Sequence, residues 1–329
     1  MKMKAVMFQE GGSAETLHIR DVPMPRVGPG QLLLEVGATA VNRADILQRM
    51  GKYPPPKGAS PILGLEVAGT VSAIGEGVDG FSRGDRVFGL VSGGGYAQFC
   101  LIDADMAMSM PAEWDFGYAA AIPEVFFTAG ETLFTLGGLK AGESVLIHAG
   151  GSGVGTAGTQ MAHAIGAEVF VTAGSWEKIE ASKKLGSRAG IHYKTEDFAT
   201  RIDELTDGKG VHLVQDFIGA SYLSRNLQVL RRGGRLVLVG LLGGARTELN
   251  LALLLAKQIK IFGSIMRGLP LAEKVEIKQR FEARWLPRLI AQEIRPVIYE
   301  AFSYEEVSKA HSLMEENRHF GKIVLRIQA

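Results

Sequence analysis

The chain has 329 residues, of which 46% are hydrophobic, and its formal net charge is +1. A chain of this length exceeds the size at which one hydrophobic core usually keeps growing, so two domains are expected. Basic and acidic residues are spread along the whole chain, which disfavours nucleic acid as a partner and favours a small molecule. The single cysteine, Cys100, excludes intramolecular disulfides and predicts a buried thiol in a reducing compartment.

The first eight residues carry two lysines but lack the apolar segment of a secretory signal, so they are interpreted as a first strand. Apolar runs such as 249–256 are too short to span a bilayer and are bounded by polar residues. The sequence therefore predicts a cytoplasmic protein.

Up to residue 124 the chain shows short β-rich runs that are interrupted by glycine and proline. Spacing of this kind is typical of a small, curled β-barrel-like domain. The expected strands are 31–36, 67–74, 85–90 and 96–102.

From residue 125 to 264 apolar strands alternate with amphipathic helices, which predicts a parallel sheet with helices on both faces. Six strands match the doubly wound, Rossmann-type plan of dinucleotide-binding domains. The expected strands are 144–149, 167–173, 190–193, 211–217, 234–241 and 259–264. The expected helices are 154–165, 178–185, 198–206 and 223–230.

The remainder, 265–329, contains an expected helix at 273–292, a second at 304–317 and a final strand at 322–327. Because a terminal strand needs a sheet to join, this segment is expected to complete the first domain. The predicted division is thus 1–124 with 265–329, and 125–264 by itself.

A glycine-rich loop follows the strand at 144–149 and precedes a helix, which is the context of a dinucleotide-binding site. Its glycines allow unusual backbone angles and a close approach to a pyrophosphate, whose charge meets the free amides of the helix. Two registers of the fingerprint remain open. One uses Gly153, Gly155 and Gly158, and the other uses Gly150, Ser152 and Gly155.

In the predicted Rossmann domain, the residues at the end of the second strand distinguish a protein that binds NAD from one that binds NADP. An NAD enzyme usually places an acid there, about 20 residues after the fingerprint, to bind the ribose 2′-hydroxyl. Here the strand ends at Gly174 without an acid; Ser175 can donate to a 2′-phosphate and Lys178 can neutralise it. Glu177 weighs against this interpretation, and Lys178 has the alternative of a solvated helix face. The pattern favours NADPH.

No metal site is expected. Catalytic and structural zinc need clustered cysteine, histidine or carboxylate ligands. The chain has one cysteine, and its seven histidines form no H-x-H or H-x-x-x-H pair.

With these features in place, the chain resembles the zinc-independent quinone oxidoreductases of the medium-chain dehydrogenase/reductase superfamily, the zeta-crystallin-like group. The resemblance covers essentially the whole chain. Leu65 and Asn42 occupy the places where zinc-dependent relatives carry a histidine and a cysteine. The stretches that carry the resemblance are 41–49, 51–56, 62–69, 121–124, 146–155 and 317–325.

The resemblance implies a GroES-like catalytic domain, formed from both chain ends, that faces the Rossmann domain across a cleft. It implies that Asn42 and Tyr53 flank the nicotinamide and the substrate. Phe217, Ile218, Gly219 and Leu241 follow the fourth and fifth strands, where ligands of open α/β sheets bind. The other implied cofactor contacts are Gly150, Ser152, Gly153 and Val154 at the pyrophosphate, Gly174, Ser175, Lys178 and Tyr193 at the adenosine end, and Thr128, Ser264, Met266, Arg267, Phe320 and Lys322 elsewhere.

The implied activity is hydride transfer from NADPH to a quinone, for which the protein supplies orientation and a dry cleft rather than a strong acid. One alternative is an NADPH-dependent reductase of α,β-unsaturated carbonyls, either alkenals or enoyl thioesters. A second is a non-catalytic or RNA-binding NADPH-binding protein, against which the near-neutral charge argues. An apolar edge strand at 259–263, together with the family's habit, predicts a homodimer.

Overall fold

The computed structural model of the chain describes residues 1–327, which form two compact units. Of the described residues, unit 1 contains 1–125, 267–280 and 296–327, and unit 2 contains 126–266 and 281–295. The units divide after residues 125 and 266, within two residues of the domain boundaries predicted after residues 124 and 264. The segment 281–295, which we expected with the chain ends, groups with unit 2 instead.

The structure contains both β-strands and α-helices, with the following bounds. Within residues 1–327 the strands are β1 (Lys2–Met7), β2 (His18–Pro23), β3 (Gln31–Val41), β4 (Glu66–Ile74), β5 (Arg86–Leu90), β6 (Phe99–Asp103), β7 (Ala107–Ser109), β8 (Ser144–Ile147), β9 (Glu168–Ala173), β10 (Ala189–His192), β11 (Val211–Asp216), β12 (Leu230–Leu238), β13 (Lys260–Gly263), β14 (Ile298–Ser303) and β15 (Lys322–Arg326). The α-helices are α1 (Arg43–Arg49), α2 (Phe116–Ala120), α3 (Pro123–Gly130), α4 (Gly153–Ala164), α5 (Trp176–Lys184), α6 (Phe198–Leu205), α7 (Leu223–Val229), α8 (Leu251–Lys257), α9 (Leu271–Arg284), α10 (Leu286–Ile290) and α11 (Val307–Glu315).

Unit 1 is built on a sheet of order β14-β15-β3-β4-β5-β7, in which β6 also pairs with β3. The long strand β3 lies antiparallel to β15, so the end of the chain joins the sheet begun near its start, as predicted. A separate pair, β1 and β2, is connected to the Tyr96–Gln98 segment through backbone hydrogen bonds. Apolar side chains from both chain ends, among them Val6 and Leu325, form one core cluster.

Unit 2 is a six-stranded sheet of order β10-β9-β8-β11-β12-β13, and all its strand pairs are parallel. This confirms the predicted doubly wound plan. The strand order reverses between β8 and β11, so the loops that follow these two strands border the crevice where such sheets bind ligands. Buried residues such as Leu146 and Val214 fill the core beneath.

Several predicted boundaries were wrong for local reasons. Strand β8 ends at Ile147 because Ala149 takes a left-handed backbone angle, with φ of 52°. The single helix predicted at 273–292 is two helices, since Pro287 lacks the amide that a continuous helix would need. Strand β14 was missed because its side chains are mostly exposed and lack the alternating pattern. Among residues 1–327 no helix has the length and apolarity to cross a membrane.

Candidate functional site

In unit 2 the loop between β8 and α4 forms a tight turn that glycine alone permits. A Cβ atom at Gly150 would lie 2.6 Å from Cβ of Val171 on the neighbouring strand. Ser152 is the N-cap of α4, and its Oγ accepts a hydrogen bond of 3.0 Å from the amide of Gly155. The preceding amides, of Gly153 and Val154, lie in the first turn, where a helix offers its amides to an anion.

The geometry favours one of the two open registers of the fingerprint. The third glycine of such a fingerprint lets the helix pack closely on the strand end. At Gly155 a Cβ atom would lie 2.4 Å from the carbonyl oxygen of Ala149 and 2.8 Å from Cα of Gly150. At Gly158 the nearest atom would be a side-chain methyl of Leu133, 3.1 Å away. Gly155 is therefore the packing glycine, which favours the register Gly150, Ser152, Gly155.

The buried histidine His148 lies directly before this loop in the chain. His148 Nε2 lies 2.8 Å from Oδ1 of Asn226, and its Nδ1 lies 3.0 Å from Oγ1 of Thr172. Burial lowers the pKa of His148 to about 4, so the ring is neutral. Because the Asn226 amide nitrogen donates to Asp216, its oxygen must accept, and His148 donates from Nε2. The network thus joins the ends of β8, β9 and β11.

The loops after β11 and β12 are fixed by backbone hydrogen bonds. The carboxylate of Asp216 accepts from the amides of Ile218 (2.7 Å) and Gly219 (3.1 Å). Burial nevertheless raises the pKa of Asp216 to about 6. Across the loops, the amide of Leu242 donates to the carbonyl of Phe217 at 3.2 Å. The residues of these loops that are predicted to contact the cofactor therefore lie in two hydrogen-bonded loops at the carboxyl ends of the strands.

The end of β9 presents hydroxyl and ammonium groups. The ring of Tyr193 lies across Gly174, where a Cβ atom would be 2.7 Å from the phenol oxygen. Cε of Lys194 lies 3.4 Å from the same point. Lys194 is close enough to Lys178 to lower its pKa, although burial of Lys178 is the larger cause. Sequence reasoning missed Lys194; its position directly after Tyr193 was the available signal.

Ser175 is the N-cap of α5 and accepts from the amide of Lys178 at 3.4 Å. A hydrogen bond from the same serine is the main reason that the pKa of Glu177 is lowered. A carboxylate therefore lies beside the hydroxyl expected to meet a 2′-phosphate.

The other predicted residues of unit 2 are placed as follows. Thr128 is buried in α3, where its carbonyl accepts from the hydroxyl of Thr132 at 2.6 Å. Ser264 directly follows β13, and its amide donates to Leu238 at 2.9 Å. Leu241 is 56% exposed, whereas Met266 is half-buried.

Unit 1 contains a buried ion pair at the predicted residue Asn42. The ammonium of Lys322, 2% exposed, donates to Glu66 Oε1 at 2.8 Å and to Asn42 Oδ1 at 2.6 Å. Asn42 in turn donates from Nδ2 to Glu66 Oε1 at 2.8 Å. The amide of Glu124 donates to the other oxygen, Glu66 Oε2, at 2.9 Å. Lys322 therefore holds Asn42 and Glu66 inside the unit, and its role as a cofactor contact stays a prediction.

Asn42 is also the N-cap of α1. Its backbone amide donates to Asp45 Oδ2 at 2.8 Å, and Asp45 Oδ1 accepts from the amide of Gly64 at 2.9 Å. Complete burial raises the pKa of Asp45 to about 6, despite these bonds and the positive charge of Lys322. Asp45 thus joins the start of α1 to the segment that leads into β4.

A chain of polar side chains continues from Asp45 toward the surface of unit 1. The phenol of Tyr96 lies 3.5 Å from Asp45 and 3.1 Å from Nε2 of His311. Nδ1 of His311 accepts from Arg49 at 3.1 Å, and Arg49 pairs with Glu315 at 2.5 Å. Burial lowers the pKa of His311 to about 3. The neutral ring therefore donates from Nε2 to the phenol oxygen of Tyr96, whose hydroxyl donates to Asp45, while Arg49 donates both to His311 and to Glu315.

Arg267 fixes the loop of the second predicted catalytic residue, Tyr53. Its guanidinium donates to the carbonyl of Ser92 at 2.9 and 3.1 Å, and it lies over the Tyr53 ring at 5.5 Å. Burial raises the pKa of the Tyr53 phenol. Phe320, a further predicted contact, is half-buried beside Gly321, whose φ of 95° brings the chain against the carbonyl of Val297.

Cys100 is buried, as predicted, and burial raises the pKa of its thiol to about 12, so the thiol is unreactive. In residues 1–327 no group of three or more histidine, cysteine, aspartate or glutamate side chains could hold a metal ion.

Two family models match the chain. The model for the alcohol dehydrogenase GroES-like domain matches residues 28–112, and the model named zinc-binding dehydrogenase matches residues 153–282. The chain also matches mycobacterial phenolphthiocerol polyketide synthases at 34% identity, but it spans only 14 to 19% of their length.

Relatives that match along their whole length include quinone oxidoreductases. The rat enzyme is 32% identical over 98% of this chain and 97% of its own. The structure of Escherichia coli quinone oxidoreductase complexed with NADPH has a TM-score of 0.88 at 28% identity, covering 98% of this chain and 99% of that one. The JamJ enoyl reductase structure has a TM-score of 0.88 at 25% identity, covering 99% of each chain. The chain therefore belongs to the zinc-independent quinone oxidoreductase family of the medium-chain dehydrogenase/reductase superfamily.

Proposed function

We propose that this protein is an NADPH-dependent quinone oxidoreductase. The full-length likeness to quinone oxidoreductases supports the reaction. The observation that carries the choice of cofactor is the end of β9, where Ser175, Lys178 and Lys194 lie near Gly174 and no acid occupies the last position of the strand, although the carboxylate of Glu177 lies beside Ser175. A hydroxyl and two ammonium groups suit a 2′-phosphate better than a ribose hydroxyl.

The residues of unit 2 fit a dinucleotide. Gly150 and Gly155 leave space that a Cβ atom would fill, and the first amides of α4 can meet a pyrophosphate. When bound, NADPH supplies a hydride to an electron-poor acceptor. The proposed contacts are Thr128, Gly150, Ser152, Gly153, Val154, Gly174, Ser175, Lys178, Lys194, Tyr193, Phe217, Ile218, Gly219, Leu241, Ser264 and Met266 in unit 2, with Arg267, Phe320 and Lys322 in unit 1.

In unit 1 we propose that Tyr53 and Asn42 orient the acceptor. The Tyr53 ring, held against Arg267, offers a flat surface to a flat quinone. Asn42 is fixed by Lys322 and Glu66, so it is preorganised.

Replacing Lys178 or Lys194 with alanine should raise the KM for NADPH by roughly 10-fold or more, since each change removes a charged phosphate contact. The KM for NADH should stay within about 2-fold, because NADH has no 2′-phosphate to lose. Steady-state kinetics with both cofactors measures this. Lys183→Ala, on the exposed face of the same helix, is the matched control. Equal effects on the two cofactors would refute the role in binding the 2′-phosphate.

A second candidate is reduction of α,β-unsaturated carbonyls. The full-length structural likeness to an enoyl reductase favours it. The two reactions take the same cofactor and differ in the acceptor, so a comparison of acceptors separates them.

We further propose a homodimer formed along β13, the edge of the unit 2 sheet. Leu251, Leu255 and Ile265 are each more than half exposed near this edge, and unprotected apolar edges favour pairing with a second copy. Light scattering should give about twice the chain mass of 35.4 kDa. Gly263→Pro, which removes an edge amide at a position with open space around it, should yield monomers.

A further inference from the structure

Two basic side chains of unit 1 converge on Ser92, beside the proposed acceptor-orienting residue Tyr53. The guanidinium of Arg267 donates to the carbonyl of Ser92 at 2.9 and 3.1 Å, and the ammonium of Lys274 donates to the Ser92 hydroxyl at 3.0 Å. Nη1 of Arg267 lies 3.5 Å from the carbonyl of Tyr53, and the same guanidinium lies over the Tyr53 ring. Arg267 is among the proposed cofactor contacts, whereas Lys274 has no assigned role.

The loop that carries Ser92 is fixed by its glycines. Gly93 has a φ of 152°, and a Cβ atom there would lie 2.5 Å from the carbonyl oxygen of Ser60. The amide of Gly94 donates to the carbonyl of Ile62 at 2.8 Å. Ser92 therefore holds both basic groups at defined positions, as preorganised binding of a ligand requires.

The two basic groups are close together and have neutral partners. Within residues 1–327 their hydrogen bonds go to the carbonyls of Ser92 and Tyr53 and to the Ser92 hydroxyl. Burial lowers the pKa of both side chains, and the charge of Arg267 lowers that of Lys274 further. Asp103 raises the pKa of Lys274, and Asp45 and the Tyr53 phenol raise that of Arg267, without a hydrogen bond to either group. An anion that contacts both groups would offset their mutual repulsion.

Lys274 is the more accessible of the two. Its side chain is half-buried, as are Ser92 and Tyr53, whereas Arg267 is 6% exposed. An ammonium carries three N–H donors, and the Ser92 hydroxyl accepts from one of them. The other two donors can meet the oxygens of an anion in charge-assisted hydrogen bonds.

We propose that Lys274, reinforced by the charge of Arg267, binds an anionic substituent of the quinone, a sulfonate or carboxylate on the ring system that packs against Tyr53. This rests on the proposed function and names its substrate class: acidic quinones rather than uncharged ones. The pyrophosphate and the 2′-phosphate of the cofactor are matched by groups of unit 2, at the start of α4 and the end of β9, so they leave Lys274 for the acceptor.

The test compares 1,2-naphthoquinone-4-sulfonate with 1,2-naphthoquinone at saturating NADPH. Lys274→Met should raise the KM for the sulfonate by roughly 10-fold, because a charge-assisted hydrogen bond is lost. The KM for the uncharged quinone should stay within about 2-fold, which also shows that the variant is folded. Lys274→Arg keeps the charge and should stay within about 3-fold of wild type for both quinones. The matched control is Arg280→Met, at an exposed site of the same helix.

A second readout needs no turnover. Isothermal titration calorimetry of the NADP⁺-loaded protein should show binding of 1-naphthalenesulfonate, an aromatic anion that cannot accept a hydride as a quinone does. The affinity should be about 10-fold lower in Lys274→Met, and it should fall with rising salt in wild type. The affinity for NADPH should be the same in both proteins.

An equal rise of KM for the two quinones in Lys274→Met would overturn the inference alone. A loss of NADPH affinity in this variant would also overturn it, since Lys274 would then be a cofactor contact. A wild-type protein that binds NADPH but reduces neither quinone would overturn the proposed function and, with it, this inference.

Discussion

Replacing Lys322 with methionine is expected to destabilise unit 1 by about 3–5 kcal/mol. The substitution keeps much of the side-chain volume but removes the ammonium, leaving the completely buried carboxylate of Glu66 without its counter-charge. It also removes the donor to Oδ1 of Asn42. Urea unfolding followed by hydrogen-exchange mass spectrometry of β3 and β15 would measure the loss in unit 1 separately from unit 2.

The matched control is the double variant Lys322→Met with Glu66→Gln, in which neither charge remains. It should recover about half of the loss or more, because the cost of breaking a buried pair is mostly that of the charge left behind. A loss below about 1 kcal/mol in the single variant, or a double variant no more stable than the single, would show that the pair does not organise this region.

The second large effect is expected at the glycine loop. Gly155→Ala should weaken NADPH binding by about 100-fold, since the new Cβ atom would force the loop to move by about 1 Å. A Cβ atom at residue 155 would lie 2.4 Å from the carbonyl oxygen of Ala149 and 2.8 Å from Cα of Gly150. Both are backbone atoms, so only a movement of the backbone could make room for it. Isothermal titration calorimetry with NADPH measures the change.

Gly158→Ala is the matched control, because its new Cβ atom would meet side-chain atoms rather than backbone, of Leu133 at 3.1 Å, Ile147 at 3.4 Å and Gln215 at 3.5 Å. It should change the affinity by no more than a few-fold. If Gly158→Ala were the more damaging variant, the fingerprint would use Gly153, Gly155 and Gly158 instead.

The sequence was sufficient for the architecture of unit 2, because apolar strands and amphipathic helices alternate along the chain. It could not decide between the two glycine registers, since both satisfy the spacing. The distinction lies in the approach of Gly155 to the carbonyl of Ala149, which only the folded loop defines. Lys194 was overlooked for a related reason: its closeness to Lys178 depends on how β10 lies beside β9.

In unit 1 the decisive contacts join residues that are far apart in the chain. Lys322 meets Glu66 across 256 positions, and Arg49 meets His311 across 262. In the sequence alone, nothing distinguishes these polar residues from residues that are exposed on the surface. Their burial follows from the pairing of β15 with β3, which brings the last strand beside the start of α1. Asn42, Tyr53, Arg267 and Lys322 could be singled out by family resemblance, but the contacts that join Lys322 to Asn42 and Arg267 to Tyr53 could not.

The most direct test of the proposed function compares acceptors with NADPH as the donor. We expect a higher kcat/KM for 1,2-naphthoquinone than for a 2-alkenal, with one hydroquinone formed for each NADPH oxidised. A clearly higher kcat/KM for the 2-alkenal would contradict the assignment as a quinone oxidoreductase.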